Sequence, residues 1–106
     1  MRESEKLVLT EIKIIISRFL PESDVILFGS RARGDYQNNS DYDLLVITRS
    51  SLNSQQRLYF QALIRKTLAK QHILADIIIH SFSDIEKKQN LPGHIVRSAI
   101  QEGVRV

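Results

Sequence analysis

No cysteine occurs in the 106 residues, which excludes a disulfide scaffold, a thiolate zinc site and a cysteine nucleophile, and fits a reducing compartment. Long hydrophobic runs are missing too: the longest are four residues, against the roughly 20 that a membrane-spanning helix requires. The first residues, Met1-Arg2-Glu3-Ser4-Glu5-Lys6, are charged and lack the apolar stretch and small-residue cleavage site of a secretory signal. There is no internal repeat and no low-complexity tract. Charge of one sign is scarce as well. Fifteen Lys and Arg against twelve Asp and Glu leave a formal charge of +3, a mild bias that permits a phosphate-bearing ligand without demanding one. What remains is a chain with 42% hydrophobic residues, ordinary for a globular protein. Its length suits one domain over residues 1–106. A soluble, cytoplasmic protein with no membrane association is expected.

Apolar residues at Val8, Ile12, Ile15 and Phe19 recur at helical spacing within Ser4 to Leu20, and Pro21 ends that pattern. Val25 to Phe28 and Leu44 to Ile47 are short continuous apolar runs of the kind found in buried strands. A polar, Asn-rich turn region from Asp35 to Ser40 lies between them. Ser51 to Lys70 is again helical in spacing, and Ile77 to Ile79 is a third strand with Asp76 at its start. Ser83 is expected to cap a short helix through Asn90. Pro92 is expected to open another that Gly103 ends, with a last edge strand at Val104 to Val106. This order predicts an α/β fold, a small mixed β-sheet flanked by helices. A helical crossover makes the second and third strands parallel, while the short link before the second lets the first two run antiparallel. Gly29-Ser30, Asp41, Asp43 and Asp76 then fall at one end of the sheet.

Asp41 and Asp43, two apart on a strand, present their side chains on one face with Cα atoms about 6.5 Å apart. Carboxylates that close repel unless a proton or cation lies between them. With Asp76 they form a set of oxygen ligands suited to Mg²⁺. Two such ions about 3.5–4 Å apart can clamp the attacking and leaving oxygens of a phosphoryl transfer. Gly29 lets backbone approach a phosphate, Ser30 adds a hydroxyl, and a helical turn beginning there would offer free N–H groups. Arg31 and Arg33 add forks suited to phosphate oxygens. Each has a plainer reading: solvated carboxylates at a strand start, Asp76 as a turn residue, Arg33 paired with Asp35, Ser40 ordering the turn, Tyr36 and Tyr42 in packing. His72, His80 and His94 are too scattered for a zinc pattern. No nucleic-acid module or paired stacking motif is recognisable, so nucleic acid is not expected as a direct partner.

The segment GSRARGDYQNNSDYDLLV, in which ten residues separate Gly29-Ser30 from Asp41-Tyr42-Asp43, resembles the signature of the minimal nucleotidyltransferases of the DNA polymerase β-like superfamily. The likeness extends along the whole chain, from the leading helix to the third strand with its own Asp. It implies that Asp41, Asp43 and Asp76 are catalytic and hold two Mg²⁺ ions, with Asp76 also the base for an acceptor hydroxyl. It implies as well that Gly29 and Ser30, with Arg31 and Arg33 at the family's basic positions, bind the nucleotide. Small members of this family act as antitoxins beside a HEPN ribonuclease toxin, which they neutralise by moving AMP from ATP to one of its tyrosines. The resemblance therefore implies ATP as substrate, a HEPN partner encoded nearby and a hetero-oligomer with it. A single domain, without the second one by which larger members grip an acceptor, is expected, and this fits a partner that brings its own hydroxyl. The competing reading is a non-catalytic antitoxin that neutralises the toxin by direct binding.

Overall fold

The computed structural model describes residues 2–37 and 39–106. Helix α1, Glu3–Phe19, buries Leu9, Ile12, Ile15 and Ile16 along one stripe. It ends where the Leu20 N–H bonds the Ile16 carbonyl at 2.8 Å, one residue before Pro21. Strand β1, Asp24–Phe28, runs directly into a five-residue helix, α2, Gly29–Arg33. Strand β2, Tyr42–Thr48, begins one residue after Asp41, so Asp41 belongs to the approach to the strand and not to the strand itself.

Helix α3, Ser54–Lys70, starts later than its spacing suggests because Asn53 and Gln56 form a reciprocal cap. The Asn53 side chain accepts the Gln56 N–H at 2.8 Å, and the Gln56 side chain accepts the Asn53 N–H at 2.9 Å. Strand β3, Ala75–Ser81, is longer than its apolar run, since its outer positions pair with β2. The next two helices begin differently from expectation. Ser81, not Ser83, caps α4, Phe82–Lys88, accepting the Asp84 N–H at 3.2 Å. Pro92 does not open α5, Ile95–Glu102. A turn with Gly93 at φ 75° follows it, and the His94 ring nitrogen caps the helix by accepting the Val96 N–H at 3.1 Å. Gly103 then leads into the edge strand β4, Val104–Arg105.

The sheet order is β3-β2-β1-β4, with β1 antiparallel to both β2 and β4 and β2 parallel to β3. Strand alternation sends Val25, Leu27, Leu44 and Val46 to the face covered by α1 and α3, where Ile12, Ile16, Ile64 and Leu68 complete the main core. The opposite face carries Phe28, Leu45 and Ile47 against Ile85 of α4 and Val96 and Ala99 of α5. On that second face β2 continues outward from Leu45 to Asp43, and β3 from Ile78 to Asp76. No helix among the described residues is long and apolar enough to cross a membrane.

Candidate active site

Three chain segments meet where β1 ends and β2 and β3 begin. Phe28, the last residue of β1, lies opposite Asp43 in the antiparallel register, and Asp43 lies beside Asp76 in the parallel one. Asp43 is thus central, with the β1–α2 junction on one side and Asp76 on the other. It is half-buried, whereas Asp41 and Asp76 are exposed.

Gly29 makes this arrangement possible in two ways. Its φ of 74° is left-handed, a conformation costly to any residue with a Cβ. Its missing side chain also leaves room for the Asp43 carboxylate: a Cβ placed there would stand 2.2 Å from Asp43 Oδ2. The motif glycine and the second motif aspartate are therefore in direct apposition. Ser30 follows in the first turn of α2, whose N–H groups have no earlier helical carbonyl to bond, and its own carbonyl accepts the Gly34 N–H at 2.9 Å.

Asp43 holds its proton more tightly than an ordinary aspartate. Burial is the main cause, followed by the charges of Asp76 and Asp41, while Arg33 opposes them. Asp76 and Asp41 thus both act on Asp43 through space, as their shared sheet end predicts. They do not close into a ligand set: no group of three His, Cys, Asp or Glu able to hold a metal ion occurs among the described residues. In donor chemistry the site still fits a hard cation, being all oxygen and carrying charge that repels itself.

The two arginines separate. Arg33 pairs with Asp35 at 3.3 Å and Glu102 of α5 at 3.4 Å, as its plainer reading expects, and from there its charge acts on Asp43. Arg31 points to the other side. Its guanidinium lies between the rings of Tyr36 and Tyr42, 4.6 and 4.2 Å from their centroids, and its Nε donates to the Ser40 carbonyl at 2.9 Å. Tyr42 is buried in the main core, and the Tyr36 hydroxyl donates to Glu5 of α1. That bond to Glu5 is the leading reason the phenol of Tyr36 gives up its proton less readily than usual. Ser40 orders the same loop, its hydroxyl accepting the Gln37 N–H at 2.9 Å. Arg31 and its tyrosines thus anchor the loop that delivers Asp41.

Sequence reading missed one cluster. His80 and His94, remote in the chain, face each other with ring centroids 6.4 Å apart, and His80 lies 3.9 Å from Asp84 and 3.4 Å from the Lys88 ammonium. Burial foremost, and then Lys88, hold His80 below the usual histidine range. Only the turn between α4 and α5 brings these rings together.

A family model described as a nucleotidyltransferase domain matches residues 9–106. A Methanocaldococcus jannaschii protein named as a protein adenylyltransferase is 35% identical over 79 residues, covering 74% of this chain and 72% of the relative. Among solved structures, a nucleotidyltransferase from Sulfolobus solfataricus superposes with a TM-score of 0.62 at 24% identity, covering 92% of this chain and 75% of the other. A chain from the complex of the tri-AMPylated Shewanella oneidensis HEPN toxin with its MNT antitoxin superposes at 0.58 with 16% identity, covering 94% and 69% respectively. The small mixed sheet flanked by helices is thus the polymerase β-like nucleotidyltransferase fold.

Proposed function

This chain belongs to the nucleotidyltransferase domain family, and from that premise we propose that it moves AMP from ATP to a tyrosine hydroxyl of a HEPN ribonuclease toxin and so serves as its antitoxin. The observation that carries the reading is the apposition of Asp43 to Gly29 with Asp76 alongside. A phosphate-approaching backbone, a central carboxylate and a third carboxylate then lie in a row. The name of the M. jannaschii relative supports protein adenylyl transfer, and the fold shared with a chain of the AMPylated toxin–antitoxin complex supports the partner.

In the reaction the tyrosine oxygen bonds to the α-phosphorus of ATP, the bond to the bridging oxygen of the leaving pyrophosphate breaks, and the phenolic proton leaves. Gly29 and Ser30 present backbone N–H groups and a hydroxyl to the phosphates, and Arg33 contributes positive charge from the same side. Asp41, Asp43 and Asp76 are the residues that would hold Mg²⁺. When bound, magnesium supplies the charge that stabilises the α-phosphate and the departing pyrophosphate. Asp76, on the side of Asp43 away from Gly29, accepts the proton of the acceptor hydroxyl. Arg31 acts at one remove, fixing the loop that carries Asp41.

The test is intact-mass spectrometry of a HEPN protein incubated with this chain, ATP and Mg²⁺, beside the Asp41→Asn/Asp43→Asn double variant. A gain of one or more AMP masses with wild type alone is expected. No gain, together with a stable complex that still silences the toxin, would transfer the assignment to neutralisation by binding.

A further inference from the structure

Helix α3 does not sort its side chains as a surface helix usually does. Ile64 and Leu68 are its buried residues. The opposite side carries Leu58, Tyr59 and Ala62, all exposed, with Leu58 and Tyr59 keeping 66% and 63% of their surface. Arg65, Lys66 and Lys70 continue that side toward the C-terminal end and are exposed as well. The spacing from 58 and 59 through 62, 65 and 66 to 70 is that of one helix face. Apolar surface is thus turned to solvent in the first half of α3 and cationic surface in the second.

The charge of this face has one sign. Between Asp43 and Asp76 the sequence holds no acidic residue, whereas Arg49, Arg57, Arg65, Lys66 and Lys70 all lie in that stretch. With fifteen basic and twelve acidic residues in the chain, the other segments are net acidic, so the positive charge is concentrated in α3 and the loop before it. Arg65, Lys66 and Lys70 form no ion pair among the described residues. Beside them, Leu58, Ala62 and Arg65 of α3 and Ile77 of β3 line a recess of about 280 Å³. Strand β3 is outermost on this side, so the recess opens at the edge of the sheet.

These features select one kind of occupant. Unpaired cations favour carboxylates, the exposed Leu58 and Tyr59 favour apolar contact, and the recess is smaller than the roughly 300–1,000 Å³ of drug-sized pockets, on the scale of a single large side chain. An amphipathic helix laid along α3 supplies all three, with anchors at helical spacing and acids beside them. Nucleic acid supplies only the first. Its phosphates would lie over Leu58 and Ala62, and Tyr59 is the sole aromatic on this face, where a stacking platform uses several.

We propose that the outward face of α3 is a docking surface for an acidic amphipathic helix of a partner protein, whose carboxylates meet Arg65, Lys66 and Lys70 and whose apolar side chains cover Leu58, Tyr59 and Ala62, one of them entering the recess. The assignment rests on the reading given above for the identity of the partner, the toxin, and adds the face by which it is gripped. Because α3 leads into β3 at the sheet end that carries Asp76, a partner held here borders the carboxylates without occupying them.

The test is isothermal titration calorimetry of a HEPN protein with the full chain, with AMP transfer followed in parallel by intact mass. Wild type is compared with Arg65→Glu/Lys66→Glu, with Leu58→Ser/Tyr59→Ser and, as a control of equal charge change, with Lys6→Glu/Lys87→Glu. All of these positions are exposed, so the variants should fold. Kd should rise about tenfold in both α3 variants and stay unchanged in the control. Wild-type affinity should fall with added salt, and less steeply in Arg65→Glu/Lys66→Glu. An unchanged Kd in either α3 variant, or an equal loss in the control, overturns the surface and leaves adenylylation standing wherever wild type transfers AMP. Absence of transfer, with binding that weakens in the α3 variants alone, sinks adenylylation and upholds the surface. No binding by wild type overturns both. Retention of a short single-stranded RNA at physiological salt that is lost in Arg65→Glu/Lys66→Glu, while the HEPN protein binds both alike, reassigns the face to nucleic acid.

Discussion

Burial, and then the charges of Asp76 and Asp41, raise the carboxyl of Asp43 above the usual aspartate range despite the opposing Arg33. A carboxyl that binds its proton more tightly folded than unfolded favours folding below its unfolded pKa, and that stability is lost as pH rises through the folded value. Ionised Asp43 is thus kept at the expense of stability, which suits the cation-holding role proposed for it. Asp43→Asn should abolish AMP transfer while flattening the loss of stability from about pH 4 upward. Thermal melts across pH beside a mass assay check both, and a pH profile identical to wild type would contradict the electrostatic account. Gly29→Ala should instead cost stability and activity together. Its left-handed backbone alone costs about 1–2 kcal/mol, and the new methyl would displace the Asp43 carboxylate. Urea denaturation and transfer assays on this variant should move in step.

Among the elements, the short helix α2 decides what the two arginines do. Residues two apart on a helix of 3.6 residues per turn project to nearly opposite sides, so Arg31 and Arg33 cannot both face the carboxylates. Arg33 pairs with Asp35 and Glu102, from where its charge reaches Asp43, and Arg31 turns toward the tyrosines. A lysine cannot reproduce both the stacking and the directed hydrogen bond of a guanidinium. Arg31→Lys should therefore loosen the 35–41 loop, with a stability loss of roughly 1–2 kcal/mol. Faster proteolytic cleavage within that loop and a lower transfer rate should accompany it. Unchanged proteolysis would show that the loop does not depend on the stack. The paired Asp residues, the glycine and the parallel crossover were legible in spacing and hydrophobic runs, because alternation and helix length are local properties. The split between Arg31 and Arg33 required knowing that a helix starts at Gly29, a residue that is itself a weak helix former.

For the whole molecule, a cation bound among the carboxylates at one end of the sheet would couple ligand binding to folding by relieving their repulsion. A ligand that binds only the folded chain stabilises it by about 2.7 kcal/mol at a hundred times its dissociation constant. Mg²⁺ with ATP should raise the melting temperature of wild type and leave the Asp41→Asn/Asp43→Asn variant unmoved. Scanning calorimetry with and without Mg²⁺ measures this, and an equal rise in both proteins would place cation binding elsewhere. His80 contributes a pH dependence of the opposite sign. Its pKa is lowered, so its contribution to stability is present above the unfolded value of about 6.5 and is lost as pH falls toward the folded one.

By itself the sequence determined the layer order, the two buried strand runs and the meeting of Gly29, Asp41, Asp43 and Asp76 at one sheet end. These follow from periodicity, from the short link between β1 and β2 and from the right-handed crossover through α3. Tertiary structure alone decided how closely Gly29 and Asp43 approach, that Arg31 stacks on two tyrosines while Arg33 pairs with Asp35 and Glu102, and that His80 meets His94. Each of those depends on register or on residues far apart in the chain. Local pattern can say which face a side chain leaves from, but only the packed fold sets what stands opposite it.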